Sequence, residues 1–431
     1  MPTRDPQPIH KKFQIKGPKM NIISRWLPVL ALLSPVVANS QSYTFTDLGT
    51  LGGSESIANG INNGGQVVGW SYDTNGVETA TLWNGTTPTA LTTLGGPWGN
   101  ATGINDNGQI VGESATNGSG PSVHATLWNN VTPTDLGAPT GSTSSASAIN
   151  NVGQIVGYSN GVNGSALLWN GTTAIALGSP SGAYSAAIGI NLAGQVVGYS
   201  NDQPVLWNGT IPTPLGTLGG QAYATGINNS GKVVGWGFSS SNGVLSSLAI
   251  SWNGTTPTAL GTLGGATSEA SGINNAGQIV GFSTTPSSTD HVIATIWNGT
   301  TATDLNTLVN LPTGFTLIDA TAINDKGQIV GYGWNNLKQV RAFLLTPISL
   351  PGALLANLLK EVTGVGPGKS LANDIELMQA YYAANDVQAA CAVLTGFVNE
   401  VKAQNGKKIG PTSDAQIISD AHALEVALGC N

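Results

Sequence analysis

A nonapeptide of the form I-N-x-x-G-Q-(I/V)-V-G recurs seven times between Ala58 and Gly331, beginning at Ile61, Ile104, Ile149, Ile190, Ile227, Ile273 and Ile323, at intervals of roughly 37 to 50 residues. Repeats of this period are supersecondary units that cannot bury their own apolar face, so the chain must fold as an array of neighbours and not around one conventional core. After each of the first six copies comes a second shared string, centred on Trp83, Trp128, Trp169, Trp207, Trp252 and Trp297. A residue present in every unit builds the unit, so this regularity defines architecture and says little about chemistry.

Each unit reads as four short strands. In the sixth, Ser268–Ile273 is the first strand and Asn274-Asn275-Ala276-Gly277 the turn, with Gly supplying the positive φ. Gln278–Phe282 returns as the second strand, Val292–Trp297 is the third, Asn298-Gly299 turns the chain, and Thr303–Leu308 is the fourth. The two ends of the array decide how it is arranged. Tyr43 to Leu51 reads as a fourth strand with no first three before it, and the seventh unit ends after a third strand at Ala342–Leu345. Together they make seven complete blades of a mainly β, seven-bladed propeller over residues 41–347, closed by the N-terminal strand. An open solenoid has no reason for this offset and needs capping units that the sequence lacks. Small residues at Ala58, Ala101, Ala146, Ala187, Ala224, Ala270 and Ala320 suit first strands crowded around a channel, and the tryptophans suit the wider interblade space.

Residues 1–40 differ from the rest. Lys11, Lys12, Lys16, Lys19 and Arg25 precede an apolar run from Trp26 to Val37 that ends in Ala38-Asn39-Ser40, the pattern of a secretory signal cleaved near Ser40, with Met20 as an alternative start. The run is short for a membrane span, and no later segment approaches eighteen apolar residues. Residues 41–431 keep nine basic against twenty-one acidic residues, a formal charge of −12. Between Gln41 and Leu345 the only cations are Lys232, Lys326, Lys338 and Arg341, which leaves no basic stripe for a nucleic-acid partner.

The string Leu260-Gly261-Thr262-Leu263-Gly264-Gly265 followed by Gly272-Ile273-Asn274-Asn275-Ala276-Gly277-Gln278-Ile279-Val280-Gly281 resembles the HAF family of extracellular repeats, over about residues 43 to 346. That resemblance implies a secreted or surface bacterial protein and brings no established enzymatic activity. Three local departures are Lys232 in place of Gln in the fifth copy, Glu113 in place of the aromatic after the second, and no W-N-G string in the seventh.

From about residue 348 to 431 the composition shifts to helix formers, with apolar residues at helical spacing over Ala353–Val362, Ser370–Ala384, Asp386–Lys402 and Asp414–Leu428. This predicts a small all-α domain. An even cysteine count in an exported chain predicts one disulfide, Cys391 to Cys430, adding about 4 kcal/mol in the chain-entropy model. The text Ala389-Ala390-Cys391-Ala392-Val393-Leu394 through Phe397-Val398-Asn399-Glu400-Val401, ending Ala427-Leu428-Gly429-Cys430, is similar to FIMAH-type C-terminal modules, which implies an accessory or anchoring part.

Catalytic candidates are few. His124 and His291 fall in matching loops before third strands, with Asp290 beside the second, and lack metal-ligand spacing; they read as solvated loop residues. The I-N-D-N-G and I-N-D-K-G strings at Asn105 and Asn324 lack the alternating acids of a calcium loop. The N-G-T sequons at Asn84, Asn170, Asn208, Asn253 and Asn298 read as hairpin turns in a bacterial chain. No metal or cofactor is expected. The residue after each V-G is Trp70, Glu113, Tyr158, Tyr199, Trp236, Phe282 or Tyr332; the aromatics are read as interblade packing, with stacking on sugars by an aromatic ring of seven-fold placement as the alternative, and Glu113 is expected to be exposed or a site residue.

The loops joining second to third strands share a face with the interblade loops and vary from Asn201-Asp202-Gln203-Pro204 to the longer Ser239–Ser247. Variation on a constant scaffold is where binding resides. Trp98, Tyr184 and Tyr223, with Glu113, are therefore the candidate ligand-binding residues of a monomeric, non-catalytic binding or scaffold protein whose partner is an extracellular glycan or surface protein. Two alternatives remain: a polysaccharide-acting hydrolase or lyase, and a structural envelope protein. The first strands offer only Glu55, Glu269 and Asp319 as carboxylates at the channel mouth, never in a repeated position.

Overall fold

The computed structural model describes residues 42–430 apart from 118–121, 142, 162–163, 181, 183, 242–243, 287–290, 349–350, 364–369, 405–406, 408 and 410. The expected leader, residues 1–40, and Asp290 lie outside the described residues. Seven antiparallel four-stranded sheets, one per repeat, form a β-propeller. Blades 1 to 6 span residues 52–90, 95–135, 143–176, 185–214, 219–259 and 268–304 in simple up-and-down order. Blade 7 combines residues 316–348 with Ser42–Asp47, which pairs antiparallel with Val340–Ile348 from Ser42 opposite Ile348 to Asp47 opposite Phe343.

Each position of the nonapeptide has a physical task. Its first Asn is buried in every copy, and its side-chain amide donates to the backbone carbonyl of the equivalent Asn in the next blade: Asn62 to Asn105, Asn105 to Asn150, Asn150 to Asn191, Asn191 to Asn228, Asn228 to Asn274, Asn274 to Asn324, and Asn324 back to Asn62, at 3.0 to 3.2 Å. The same amide donates to the side chain of the motif Gln four residues on, as from Asn150 to Gln154 at 2.9 Å, and its Oδ1 accepts that residue's backbone NH. Lys232 in blade 5 cannot accept, and Ser230 Oγ instead donates to Asn228 Oδ1 at 2.7 Å.

A second ring runs one residue further along, where a backbone NH meets the next blade's side-chain oxygen, as from Asn63 to Asp106, Asp106 to Asn151, and Asp325 to Asn63. It is interrupted between blades 3 and 4, where Leu192 has no oxygen to offer and stands 49% exposed. The aspartates of the I-N-D strings are therefore occupied in interblade bonding. Turn glycines such as Gly153, at φ 84°, supply the left-handed residue. The glycine of each V-G faces a bulged first strand: at Gly157 a Cβ would collide with the carbonyl oxygen of Ser145.

Between blades, each motif Trp is fully buried (0% exposed) and packs against the preceding blade. Trp128 lies among Val68, Ala80 and Leu91 of blade 1, and its Nε1 donates to Thr92 O at 2.7 Å. The same packing holds where the two chain ends meet: Trp83 of blade 1 lies with Leu48, Val330, Ala342 and Leu344. In blade 7 Leu345 occupies the Trp register, opposite Ile329, and Phe343 and Tyr43 complete that cluster.

Several expected boundaries move. The fourth strand of blade 6 is Thr301–Asp304, because Asn298 already pairs with Thr301; Leu305–Leu308 is a 3-10 turn capped by the Asp304 side chain. The N-terminal strand is Ser42–Asp47 and stops short of Leu51. In the N-G-T turns Asn is the last paired residue and Gly-Thr makes the turn, with Gly at φ 58–62°. The expected long loop Ser239–Ser247 is mostly strand, since Val233–Ser241 and Val244–Asn253 pair out to Ser241 opposite Val244.

At the C-terminus, α1 (Pro351–Val362), α2 (Ser370–Ala383), α3 (Val387–Gln404) and α4 (Pro411–Leu428) enclose a core of their own, including Leu358, Ile375, Phe397 and Leu424. Cys391 of α3 is disulfide-bonded to Cys430. Among the described residues no helix is long and apolar enough to cross a membrane.

The Asn ring yields a direct test. Asn150→Ala strips the Gln154 backbone NH of its buried acceptor and removes one of the two donors to Asn191 O, which keeps the Gly194 NH, and should cost about 1–3 kcal/mol, read as a lower midpoint in urea unfolding.

Candidate functional site

The end of the propeller opposite the Asn rings is built differently in blades 4 and 5. Blade 4 turns in only two residues, Asn201 and Asp202, both in the left-handed region at φ 49° and 58°, so Ser200 pairs directly with Gln203. Blade 5 instead extends its second and third strands to Ser241 and Val244. A low edge thus adjoins a tall hairpin. Across this step five aromatic rings follow one another: Tyr184, Tyr199, Tyr223, Trp236 and Phe238, with successive centroids 6.0, 5.1, 4.6 and 5.6 Å apart.

Several bonds hold the array. Tyr223 OH donates to Asp202 Oδ1 at 2.9 Å, Gln221 Nε2 donates to Oδ2 at 2.9 Å, and Ala222 N bonds Asp202 O. Tyr184, 38% exposed, rests on Gly164, where a Cβ would strike its ring. Burial, and then the neighbouring Tyr199, pushes the Tyr184 hydroxyl up to about 12, so these phenols stay neutral donors at physiological pH.

The expected site residues separate. Tyr184 and Tyr223 are brought together through Tyr199. Trp98 lies half-buried in the first strand of blade 2, Gly95–Ile104, and among the described residues no ring contact joins it to the array. Glu113, expected to be exposed, is half-buried in blade 2: it sits opposite Asn100, bonds Ser145 of blade 3, and has a raised pKa chiefly from burial. Its charge also reaches Tyr158, which borders Tyr184 and Tyr199, so Glu113 flanks the array at one remove. Asp202 was not singled out as a site residue from sequence, and Tyr199 and Trp236 entered as packing aromatics with sugar stacking only as the alternative. Two adjacent polar residues at a left-handed turn, followed by an aromatic at the equivalent of Tyr223, would have been the signal.

His124 belongs to the third strand Val123–Asn129 and contacts Asp135 at 3.0 Å, so it is not a solvated loop residue. No group of three or more metal-ligating side chains occurs among the described residues. The carboxylates of the first strands also need correction. Glu269 pairs with Phe282 and Asp319 with Tyr332, each one residue before the Ala that pairs with the V-G glycine, so the two occupy the same position in neighbouring blades.

No protein-family model matches the chain, and no curated protein matches it.

Burial, and then the charge of Glu269, pushes the Asp319 carboxyl up to about 7. A carboxyl ionises near 4 in the unfolded chain, so the native state holds the extra proton. This contribution to stability is complete below about pH 4 and is lost as pH rises through about 7. In metal-free buffer the wild type should therefore lose on the order of a few kcal/mol relative to Asp319→Asn between pH 5 and pH 8, measured as the difference between their urea-unfolding curves.

Proposed function

We propose that the chain is a secreted, non-catalytic binding protein whose propeller holds a neutral polysaccharide across the aromatic step of blades 4 and 5. The observation that carries this reading is the continuous five-ring array, edged by Asp202 and by phenolic hydroxyls. Flat aromatic faces pack on the C–H faces of sugar rings, while rim hydroxyls and a carboxylate bond sugar hydroxyls; a few fixed polar groups on an apolar surface are the ordinary make-up of a ligand site. Charge narrows the partner. Lys232 and Lys326 belong to the turns of the Asn-ring end, Arg341 is tied to Asp47 at 3.2 Å, and Lys338, in the second-to-third-strand turn of blade 7 and so outside blades 4 and 5, lies 5.9 Å from the Trp334 ring. With Asp202 and Glu113 beside the rings, an acidic polymer would meet repulsion with little compensation.

The likeness of the repeats to HAF units and of the C-terminus to FIMAH modules supports an exported bacterial protein, as do the leader-like residues 1–40 and the disulfide. On this reading Ser42–Asp47 is the strand that closes the ring, and the four helices are a separate accessory module. The polysaccharide-acting alternative is favoured by the neighbouring Glu269 and Asp319. However, Asp319 Oδ1 is sealed from solvent, out of reach of a substrate, which favours binding over catalysis.

Affinity electrophoresis against neutral glucans and mannans, with alginate and pectin alongside, tests the proposal. Retention by a neutral polymer is expected, weakened at least about tenfold by Tyr184→Ala or Trp236→Ala, in keeping with the loss of one well-packed aromatic contact, and unaffected by Trp98→Ala. Release of reducing ends, or equal retention of all the variants, would overturn it.

A further inference from the structure

At the position before the Ala that pairs with the V-G glycine, the seven blades carry Ile57, Asn100, Ser145, Ala186, Tyr223, Glu269 and Asp319. Nothing in the scaffold demands one side chain there. Carboxylates occupy adjacent blades only at Glu269 and Asp319, on first strands in close contact: a Cβ added at Gly272 would lie 3.4 Å from Thr321 O and 3.4 Å from the Cα of Ala322. Positive side chains take no part in what the structure records around the pair. Ser247 Oγ lies 3.4 Å from Glu269 Oε1, the backbone NH of Ala320 bonds Asp319, and Tyr332 feels the Asp319 charge. Asp319 Oδ1 is fully shielded and has no hydrogen-bond partner. A sealed, unpaired carboxyl oxygen beside a second carboxylate is a costly arrangement unless a proton or a cation joins it, and above about pH 7 the proton is lost.

We propose that Glu269 and Asp319 hold a divalent cation of the calcium type between blades 6 and 7. The donors are two carboxylates and a hydroxyl, all hard oxygens with no imidazole or thiolate, which disfavours zinc and copper. Calcium accepts an irregular oxygen set completed by water, whereas magnesium demands near-ideal octahedral geometry. With only two charged ligands the affinity belongs to the weak range of extracellular modules, about 10⁻⁴–10⁻³ M. This site is separate from the aromatic step and stands whether or not a glycan binds there.

The test uses the full chain, stripped with EDTA and followed by thermal unfolding and calorimetric titration with calcium chloride. Calcium at about ten times the dissociation constant should raise Tm measurably, magnesium less, and the rise should vanish in Glu269→Gln and Asp319→Asn. In EDTA, Asp319→Asn should melt at or above the wild-type temperature, because it removes an unpaired buried charge. Asp106→Asn, at the opposite end of the channel, should keep the calcium response. No response in the wild type, a response that survives both carboxylate changes, an equal response to magnesium, or an Asp319→Asn variant less stable than wild type in EDTA would each overturn the proposal.

Discussion

Seven buried asparagine amides, each donating to the next blade's backbone, are the constraint on which the propeller depends. Six of the seven amides meet three groups at once, a carbonyl in the neighbouring blade, a glutamine side chain in their own hairpin and the backbone NH at the foot of the second strand, as at Asn150; Asn228, with Lys232 in place of the glutamine, meets the carbonyl and the NH. Such groups are worth little as net hydrogen bonds and much as avoided penalties, because a buried polar atom without a partner costs about 1–3 kcal/mol. The tryptophans then fill the space farther out. The hub is therefore polar and the wedge between blades apolar, which fixes both the spacing and the angle of each sheet.

Imperfection gathers where the chain ends meet. Among the described residues of the propeller, the shielded polar atoms without partners are Tyr43 OH, Trp83 Nε1, Asp319 Oδ1 and Arg341 Nε, all in blade 7 or against it. The tryptophans of blades 2 to 6 find a carbonyl in the strand exit of the preceding blade; Trp83, facing the N-terminal strand, does not. Blade 7 also lacks the Trp and relies on Leu345, Phe343 and Tyr43. Its pairing is continuous, but its polar accounting is the poorest in the disc, and local opening should favour this seam.

Much of this architecture could be read from the sequence because it is written locally. Turn glycines, strand order, the split seventh blade and the Cys391–Cys430 pair all follow from neighbours in sequence or from the arithmetic of chain ends. The amide ring was missed for a physical reason: Asn150 already had a place at the head of its turn, and nothing local reveals that its amide also reaches Gln154 and Asn191. The aromatic array was half visible. Tyr184 and Tyr223 were singled out as interblade-loop residues, although Tyr223 belongs to the first strand of blade 5, Gly219–Ile227; Tyr199, which joins them, has the register of a packing residue, and Asp202 sits in a turn too short to attract notice. The equivalence of Glu269 and Asp319 was hidden by unequal loop lengths; alignment on Ala270 and Ala320 would have exposed it.

The hub bonds all run in the same rotational sense, and none of them involves the chain termini. A circular permutant opened ahead of the fourth strand of any other blade would keep every amide bond, with that blade then receiving its fourth strand from the far end of the chain. The seam, with its unpaired atoms, thus follows from where the chain enters and leaves the ring and not from the wheel itself.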